Sequence, residues 1–248
     1  MGERMNFTPI ASSSKGNAYL VESPGAAPIL LEAGIPIKQL REKLWSHGVR
    51  LSDLAGCLVS HEHGDHSKAV KDLLKAGVDC YMSMGTAEAL GVENHHRVFD
   101  VSGDDLPFAF VNRPFEWNVI TFSLEHDAAE PLGFFIFSPG GDRLAFIPDT
   151  AYVKNRFSGI TTLAIECNHV ADILSENIQG GNIPAVVGRR VRRNHMSLDS
   201  VIGMLKANDL SSCREIWLLH LSDSNSDEAK MIREVQSATG IPCRACQD

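Results

Sequence analysis

Four short apolar runs, far apart in the chain, each end on a side chain that can ligate a metal. "GCLVS" runs into His61, "ITFSLE" into His126, "LAFIP" into Asp149 and "IWLL" into His220. One histidine after an apolar run is ordinarily a satisfied or solvated residue. Four independent runs ending this way are hard to explain as surface decoration. They constrain the fold to one in which strand ends build a site, as α/β proteins do. The first ending is the densest: His61, Glu62, His63, Gly64, Asp65 and His66 place three imidazoles and two acids in six positions. Residues two apart face the same side of an extended segment, so His61 and His63 can share one cation. Gly64 lets the backbone turn. Asp65 and His66 then face a second position just before a helix that begins at Ser67. Imidazole with carboxylate suits zinc, and also manganese or iron.

The segments between these endings agree. "NAYLVES" and "APILLEAG" read as a strand pair around the turn "SPGAA". "IPIKQLREKLWSHGV" has helical apolar spacing at Ile37, Leu40, Leu44 and Trp45, with Gly48 as its stop. "SKAVKDLLKAG" and "GTAEALG" read as helices and "DCYMSM" as a strand. Strands follow at "NVITFSLEH", "LGFFIFSP", "DRLAFIPDT" and "TLAIECNH", then a helix at "SLDSVIGMLKAND", the strand "EIWLLHLS", the helix "SDEAKMIREVQSATG" and an extended "IPCRA". This alternation predicts an α/β fold. With no low-complexity linker or solenoid repeat, it predicts a single domain over 1–248 built from two similar βα halves, roughly 1–125 and 126–248.

A chain of 248 residues, 44% hydrophobic, can bury a sizeable core. No apolar run approaches the ~20 residues needed to span a bilayer. The start "MGERMNF" lacks a secretion-signal core and the hydroxyl residue that myristoylation requires. The expectation is a soluble cytoplasmic protein with no membrane partner. The six cysteines are too dispersed for a disulfide framework. Cys57 and Cys167 read as buried free thiols, and the C-x-x-C of Cys243 and Cys246 has no second pair with which to hold a metal. A net charge of −8 excludes attraction of nucleic acid through the overall field. A polyanion must meet a local basic patch, and "GRRVRRNHMS" offers one in Arg189, Arg190, Arg192 and Arg193.

H-x-H-x-D-H behind a strand resembles the signature of the metallo-β-lactamase superfamily, and the nearest branch is the WalJ/YycJ-like metallohydrolases with their phage-associated members. The likeness rests also on "SSSKGN", "HDAAEP", "PDT", "ECNH", "NHMS" and "HLSDSNSD", which cover nearly the whole chain. It implies a four-layer αββα sandwich with a two-metal site, zinc first and manganese or iron as alternatives. By carry-over, the first metal takes His61, His63 and His126, and the second takes Asp65, His66 and His220, with Asp149 bridging. Antibiotic-hydrolysing members carry cysteine at the Asp149 position, and iron flavoprotein members carry Glu at the His63 position, so the resemblance points away from both. Two departures stand out: Glu32 replaces the usual Asp of the first sheet, and Asn194 stands where related sequences often carry Gly.

The chemistry so implied is hydrolysis. Two cations ~3.5–4 Å apart hold one hydroxide and clamp a substrate oxygen, with Asp65 orienting the nucleophile. His195 supplies a proton to the leaving oxygen or grips a phosphate. Asn168 and His169 line the pocket, the four arginines contact phosphate, and Ser13 and Lys15 of "SSSKGN" form an anion-binding loop. The leading expectation is a phosphodiesterase or nuclease acting on DNA or RNA. The alternatives are a cyclic nucleotide phosphodiesterase, a thioesterase of the glyoxalase II kind, which needs the arginines less, and a non-catalytic binding module. His47, His95 and His96 lie among polar residues and receive no role.

Overall fold

The computed structural model describes residues 4–103, 107–110 and 116–246. Residues 1–3, on which the reading of the chain's start partly rests, lie outside them. The described chain divides into two units: Met1–Ser123 with Ala128–Arg143, and Leu124–Asp127 with Leu144–Cys246.

In the first unit, β1 (Asn6–Ser13) and β2 (Gly16–Glu22) pair antiparallel through a tight turn at Ser14 and Lys15. Pro9 lies on β1, at the sheet edge, where a missing N–H is tolerated. The register shifts between Pro9 and Ala11. β2 pairs antiparallel with β3 (Ile29–Leu31). Parallel pairing then requires crossovers. α1 (Ile37–Ser46) leads to β4 (Gly56–Leu58), α2 (Gly64–Ser67) and α3 (Val70–Lys75) lead to β5 (Cys80–Met82), and α4 (Met84–Leu90) leads to β6 (Val98–Asp100). The sheet order is β1-β2-β3-β4-β5-β6. α1 buries Leu40 and Leu44, while α3 buries Val70, Leu73 and Leu74; these join Leu20, Leu30, Cys57 and Val59 in one core. Trp45, counted above on the apolar face, is 66% exposed. It follows Leu44 by one residue, about 100° round the helix from the Leu40–Leu44 stripe. α4 starts on Ser83, whose hydroxyl accepts from the Thr86 N–H, and ends on Gly91 in the left-handed region. The antiparallel strands β7 (Pro107–Ala109), β8 (Asn118–Ser123) and β9 (Leu132–Phe137) complete this unit.

The second unit takes in β10 (Arg143–Ile147) from Leu144 onward. β11 (Thr162–Glu166) follows, then the helices α5 (Ala171–Gln179), α6 (Ala185–Asn194) and α7 (Leu198–Lys206), then β12 (Glu215–Leu219), α8 (Glu228–Thr239) and β13 (Cys243–Ala245). All four strands are parallel, in the order β10-β11-β12-β13. β11 is buried along its whole length, as expected for a parallel strand covered on both faces. Parallel strands send their carboxyl ends to one edge. Here Ile147 lies opposite Ile165, and Glu166 opposite Leu219. Asp149, Glu166 and His220 therefore emerge at the same edge from three adjacent strands.

All six cysteines carry free thiols, five of them buried, Cys57 and Cys167 included. Among the described residues no helix is long and apolar enough to cross a membrane.

Candidate metal centre

In the first unit the ligand-type residues leave β4 together. The hydroxyl of Ser60 is bonded to His61 Nδ1 at 2.8 Å, which turns Nε2 toward His63 Nδ1 at 3.1 Å. Two nitrogen ligands ~2.0–2.1 Å from a tetrahedral cation lie roughly 3.3 Å apart, so this pair has the bite of a shared metal. His63 is the N-terminal cap residue of α2, which puts Asp65 and His66 in that helix's first turn. The His66 ring packs on His61 with centroids 4.2 Å apart, and its Nε2 lies 3.6 Å from Asp65 Oδ2. Asn17 Nδ2 approaches the same nitrogen at 3.3 Å.

Behind His66 sits Glu32, fully buried, with Oε2 3.6 Å from His66 Nδ1 and accepting from the Ser60 N–H at 3.3 Å. Its backbone is left-handed, φ 63°, an arrangement rarely adopted without Gly. The carboxylate that replaces the family's usual Asp thus still faces the imidazole it would orient. Gly34 allows the close approach of this turn, because a Cβ there would meet the Asp65 carbonyl oxygen at 1.6 Å. Gly34→Ala is expected to push α2 away and to weaken metal uptake at least tenfold, on the scale of a disturbed ligand support. Isothermal titration of the apo-protein with zinc checks this.

In the second unit Asp149 is the hub. Its Oδ1 lies 2.8 Å from His220 Nδ1, and its Oδ2 lies 3.9 Å from His126 Nε2 and 3.8 Å from His195 Nδ1. One carboxylate thus presents an oxygen to each of two groups of imidazoles, the disposition a bridging ligand needs. His126 donates Nδ1–H to the Asn194 carbonyl at 3.0 Å, leaving Nε2 with the lone pair that could hold a metal. The contribution of Asn194 is this main-chain oxygen, which any residue at the position can offer.

Glu166, to which the sequence alone assigns no role, joins the cluster. It is fully buried and its four contacts are divided between its oxygens. Oε1 accepts from His195 Nδ1 at 2.5 Å and from His220 Nδ1 at 3.2 Å, while Oε2 accepts from the N–H groups of Thr150 at 3.1 Å and Met196 at 3.0 Å. The available signal was an acid inside the apolar run "TLAIEC", masked as an ending by the cysteine that follows it. Donor atoms of Asp149, Glu166, His195 and His220 all lie within 4.8 Å of one another.

The electrostatics follow from this crowding. Burial lowers His126 below the ordinary imidazole value, so it is neutral, as a ligand must be. Burial also opposes charge on His220, but Asp149 and Glu166 outweigh it and push the imidazole up to about 10. The same two acids raise His195 against its burial. Two buried carboxylates draw positive charge into this edge. Imidazole nitrogens with a bridging-capable carboxylate are a donor set that fits zinc, manganese or iron.

The remaining candidates are scattered. Asn168 donates to the His220 carbonyl at 3.1 Å, and its own carbonyl accepts from the Ser222 N–H. It braces His220, whose backbone is also left-handed at φ 53°. His169 is buried, its Nδ1 without a hydrogen-bond partner. The arginine run forms the helix α6. Its turn divides the four side chains: Arg190 donates to Asp127 at 2.9 Å, Arg192 to Ser175 of α5 at 2.8 Å, and Arg193 lines a cavity of about 620 Å³ with His126, Asn194 and Tyr152. Arg189 is exposed. Ser13 and Lys15 lie at the β1–β2 turn, where the Lys15 N–H donates to Ser13 Oγ at 3.3 Å.

The family model of the beta-lactamase superfamily domain matches residues 28–220. The chain belongs to that superfamily. Two curated relatives in it are similar along most of their length. Exodeoxyribonuclease YycJ of Bacillus anthracis is 29% identical over 236 residues, 90% of this chain and 85% of the relative. Exodeoxyribonuclease WalJ of Streptococcus pneumoniae serotype 2 (strain D39 / NCTC 7466) is 27% identical over 228 residues, 89% and 82% respectively. The metallo-beta-lactamase fold protein YhfI of Bacillus subtilis has a TM-score of 0.73 at 16% identity, covering 99% of this chain and 97% of that one. That likeness shows the fold. The α/β metallo-β-lactamase architecture expected from H-x-H-x-D-H is the one found. In this superfamily member, β4 leads into the H-x-H-x-D-H segment, and the parallel strands of the second unit lead to Asp149 and His220.

Proposed function

We propose that the chain is a metal-dependent DNA exonuclease, a hydrolase of phosphodiester bonds. The observation that carries the reading is the gathering of Asp149, Glu166, His195 and His220 at one strand edge, with the arginine helix α6 ending on His195. Relatives named exodeoxyribonuclease match about nine-tenths of the chain and support DNA as the substrate.

In this proposal His61, His63 and His126 hold one cation, Asp65, His66 and His220 hold the other, and Asp149 serves both, with zinc as the resident metal. When bound, the cations supply an ionised water at neutral pH and positive charge for the phosphoryl oxygens. The chain's own groups do the rest. Asp65, its side chain 24% exposed, accepts a hydrogen bond from the attacking water and orients it. His195 has Nδ1 committed to Glu166, so Nε2 holds the proton that the leaving oxygen takes. Arg193 and Arg189 meet phosphate in the fork geometry that lysine lacks.

Purified protein, stripped and reloaded with zinc or manganese, tests this on linear and closed circular single-stranded DNA carrying a label. Metal-dependent shortening of the linear strand, with the circle intact, is expected. Failure of the loaded protein to cleave DNA, RNA or bis-p-nitrophenyl phosphate overturns the reading.

A further inference from the structure

We propose that Tyr152 and Arg193 form the seat of an unpaired terminal nucleotide, the base stacking on the phenol ring and its flanking phosphate resting on the guanidinium. The proposal deepens the nuclease reading and rests on it; it names the substrate class as single-stranded or frayed DNA ends.

Tyr152 is 53% exposed, so its ring is not there to fill the core. Its backbone is nevertheless fixed to the centre. The Tyr152 carbonyl accepts from Thr150 Oγ1 at 2.9 Å, and Thr150 is fully buried with its N–H on Glu166. The same hydroxyl accepts from the Glu125 N–H at 3.0 Å, and the Ala151 N–H donates to the Glu125 carbonyl at 2.8 Å. Tyr152 thus stands three residues beyond Asp149 on a braced turn, with its ring bare beside His126 in a cavity of about 620 Å³.

The charges of that cavity select its ligand. Glu125 is paired with Lys154, and Asp127 with Arg190. Both acids are thereby compensated from within the unit. Arg193, exposed on the cavity wall, has no acid partner among the described residues and is the cation left over. A flat aromatic face next to an uncompensated guanidinium matches a base next to a phosphate. An unpaired base can enter the cavity and lay its face on the ring while its phosphate reaches the guanidinium, whereas a paired end brings a second strand with it, so the seat favours an unpaired end over a blunt duplex.

The test is a single-stranded oligonucleotide with terminal 2-aminopurine, titrated with the full chain as purified. Wild-type protein is expected to quench the label. Tyr152→Ala should weaken binding roughly tenfold, the scale of one lost stacking contact, and abolish the quench. Tyr152→Phe should restore both. Arg193→Ala should keep the quench but flatten the dependence of log K on log salt by about 0.7, one phosphate contact on a single strand. A blunt duplex with the same label should remain bright. Wild-type-like quenching by Tyr152→Ala, or equal binding of the blunt duplex, overturns the proposal. Wild-type cleavage of DNA alongside either result leaves the nuclease reading standing. Loss of cleavage with the Tyr152-dependent quench intact does the reverse.

Discussion

Asp149→Ala is expected to abolish hydrolysis, lowering kcat/KM on linear DNA by about a thousandfold or more, the order of magnitude attached to losing a principal electrostatic element of an active site. The reason is geometric. Asp149 is the side chain whose two oxygens reach His220 on one side and His126 and His195 on the other. A neighbouring acid cannot replace it, because both oxygens of Glu166 are committed. Metal analysis should show the variant retaining about half or less of the wild-type content, in line with a shared ligand. Wild-type metal content and turnover in Asp149→Ala would remove the bridging role.

The metal-free protein carries a second signature of the same residue. The pKa of His220 is raised from an unfolded value near 6.5 to about 10, chiefly by Asp149 against the opposing burial. A raised pKa contributes stability that is complete below the unfolded value and disappears as pH climbs through the folded one. The urea midpoints of apo wild type and apo Asp149→Ala should therefore differ most below pH 6.5 and converge toward pH 10. A gap that widens over this window would contradict the assignment.

The proposed ligand residues stand out in the sequence because His61, His126, Asp149 and His220 each follow an apolar run, and because H-x-H-x-D-H compresses four possible donors into six positions. The elements that escaped reading are those whose contacts are sparse or irregular. α6 buries only Gly188 and α5 only Leu174, while Val186 and Val187 of α6 are exposed, so neither helix prints an apolar stripe. The arginines therefore read as a charged run when they are faces of a helix, and only the helix explains why Arg192 turns to Ser175 while Arg193 turns to the cavity. β1 was hidden by Pro9 and by the register shift after it. Asn168 read as a pocket residue because it sits beside a ligand-bearing strand. Its hydrogen bond to the carbonyl of His220 needs the parallel pairing of β11 with β12, a contact between segments more than forty residues apart. Glu166 was obscured by its neighbours: "IECNH" extends the run with a buried cysteine and two polar residues, so the acid does not look like an ending.

Glu166→Ala is expected to match Asp149→Ala in lost turnover and to cost about 3–5 kcal/mol of stability, the range for removing one partner from a buried charged network. Four donors converge on this carboxylate, two imidazoles on Oε1 and two main-chain N–H groups on Oε2. Alanine strands all four around a position that is fully buried. The Thr150 N–H then no longer fixes the turn that carries Tyr152, and His195 loses the acceptor that aims it. Glu166→Gln separates charge from shape. An amide keeps the volume but offers one acceptor and one NH2 group, and it faces donors on both sides. If its oxygen serves the main-chain pair, the NH2 meets His195 and His220 and forces them to change tautomer or turn away. If it serves the imidazoles, Thr150 and Met196 are abandoned. Glu166→Gln should therefore recover part of the stability, visible as a urea midpoint between those of Glu166→Ala and wild type, while turnover stays as low as in Glu166→Ala. Full recovery of turnover by the amide would show that Glu166 only fills space, and its place in the centre would be lost.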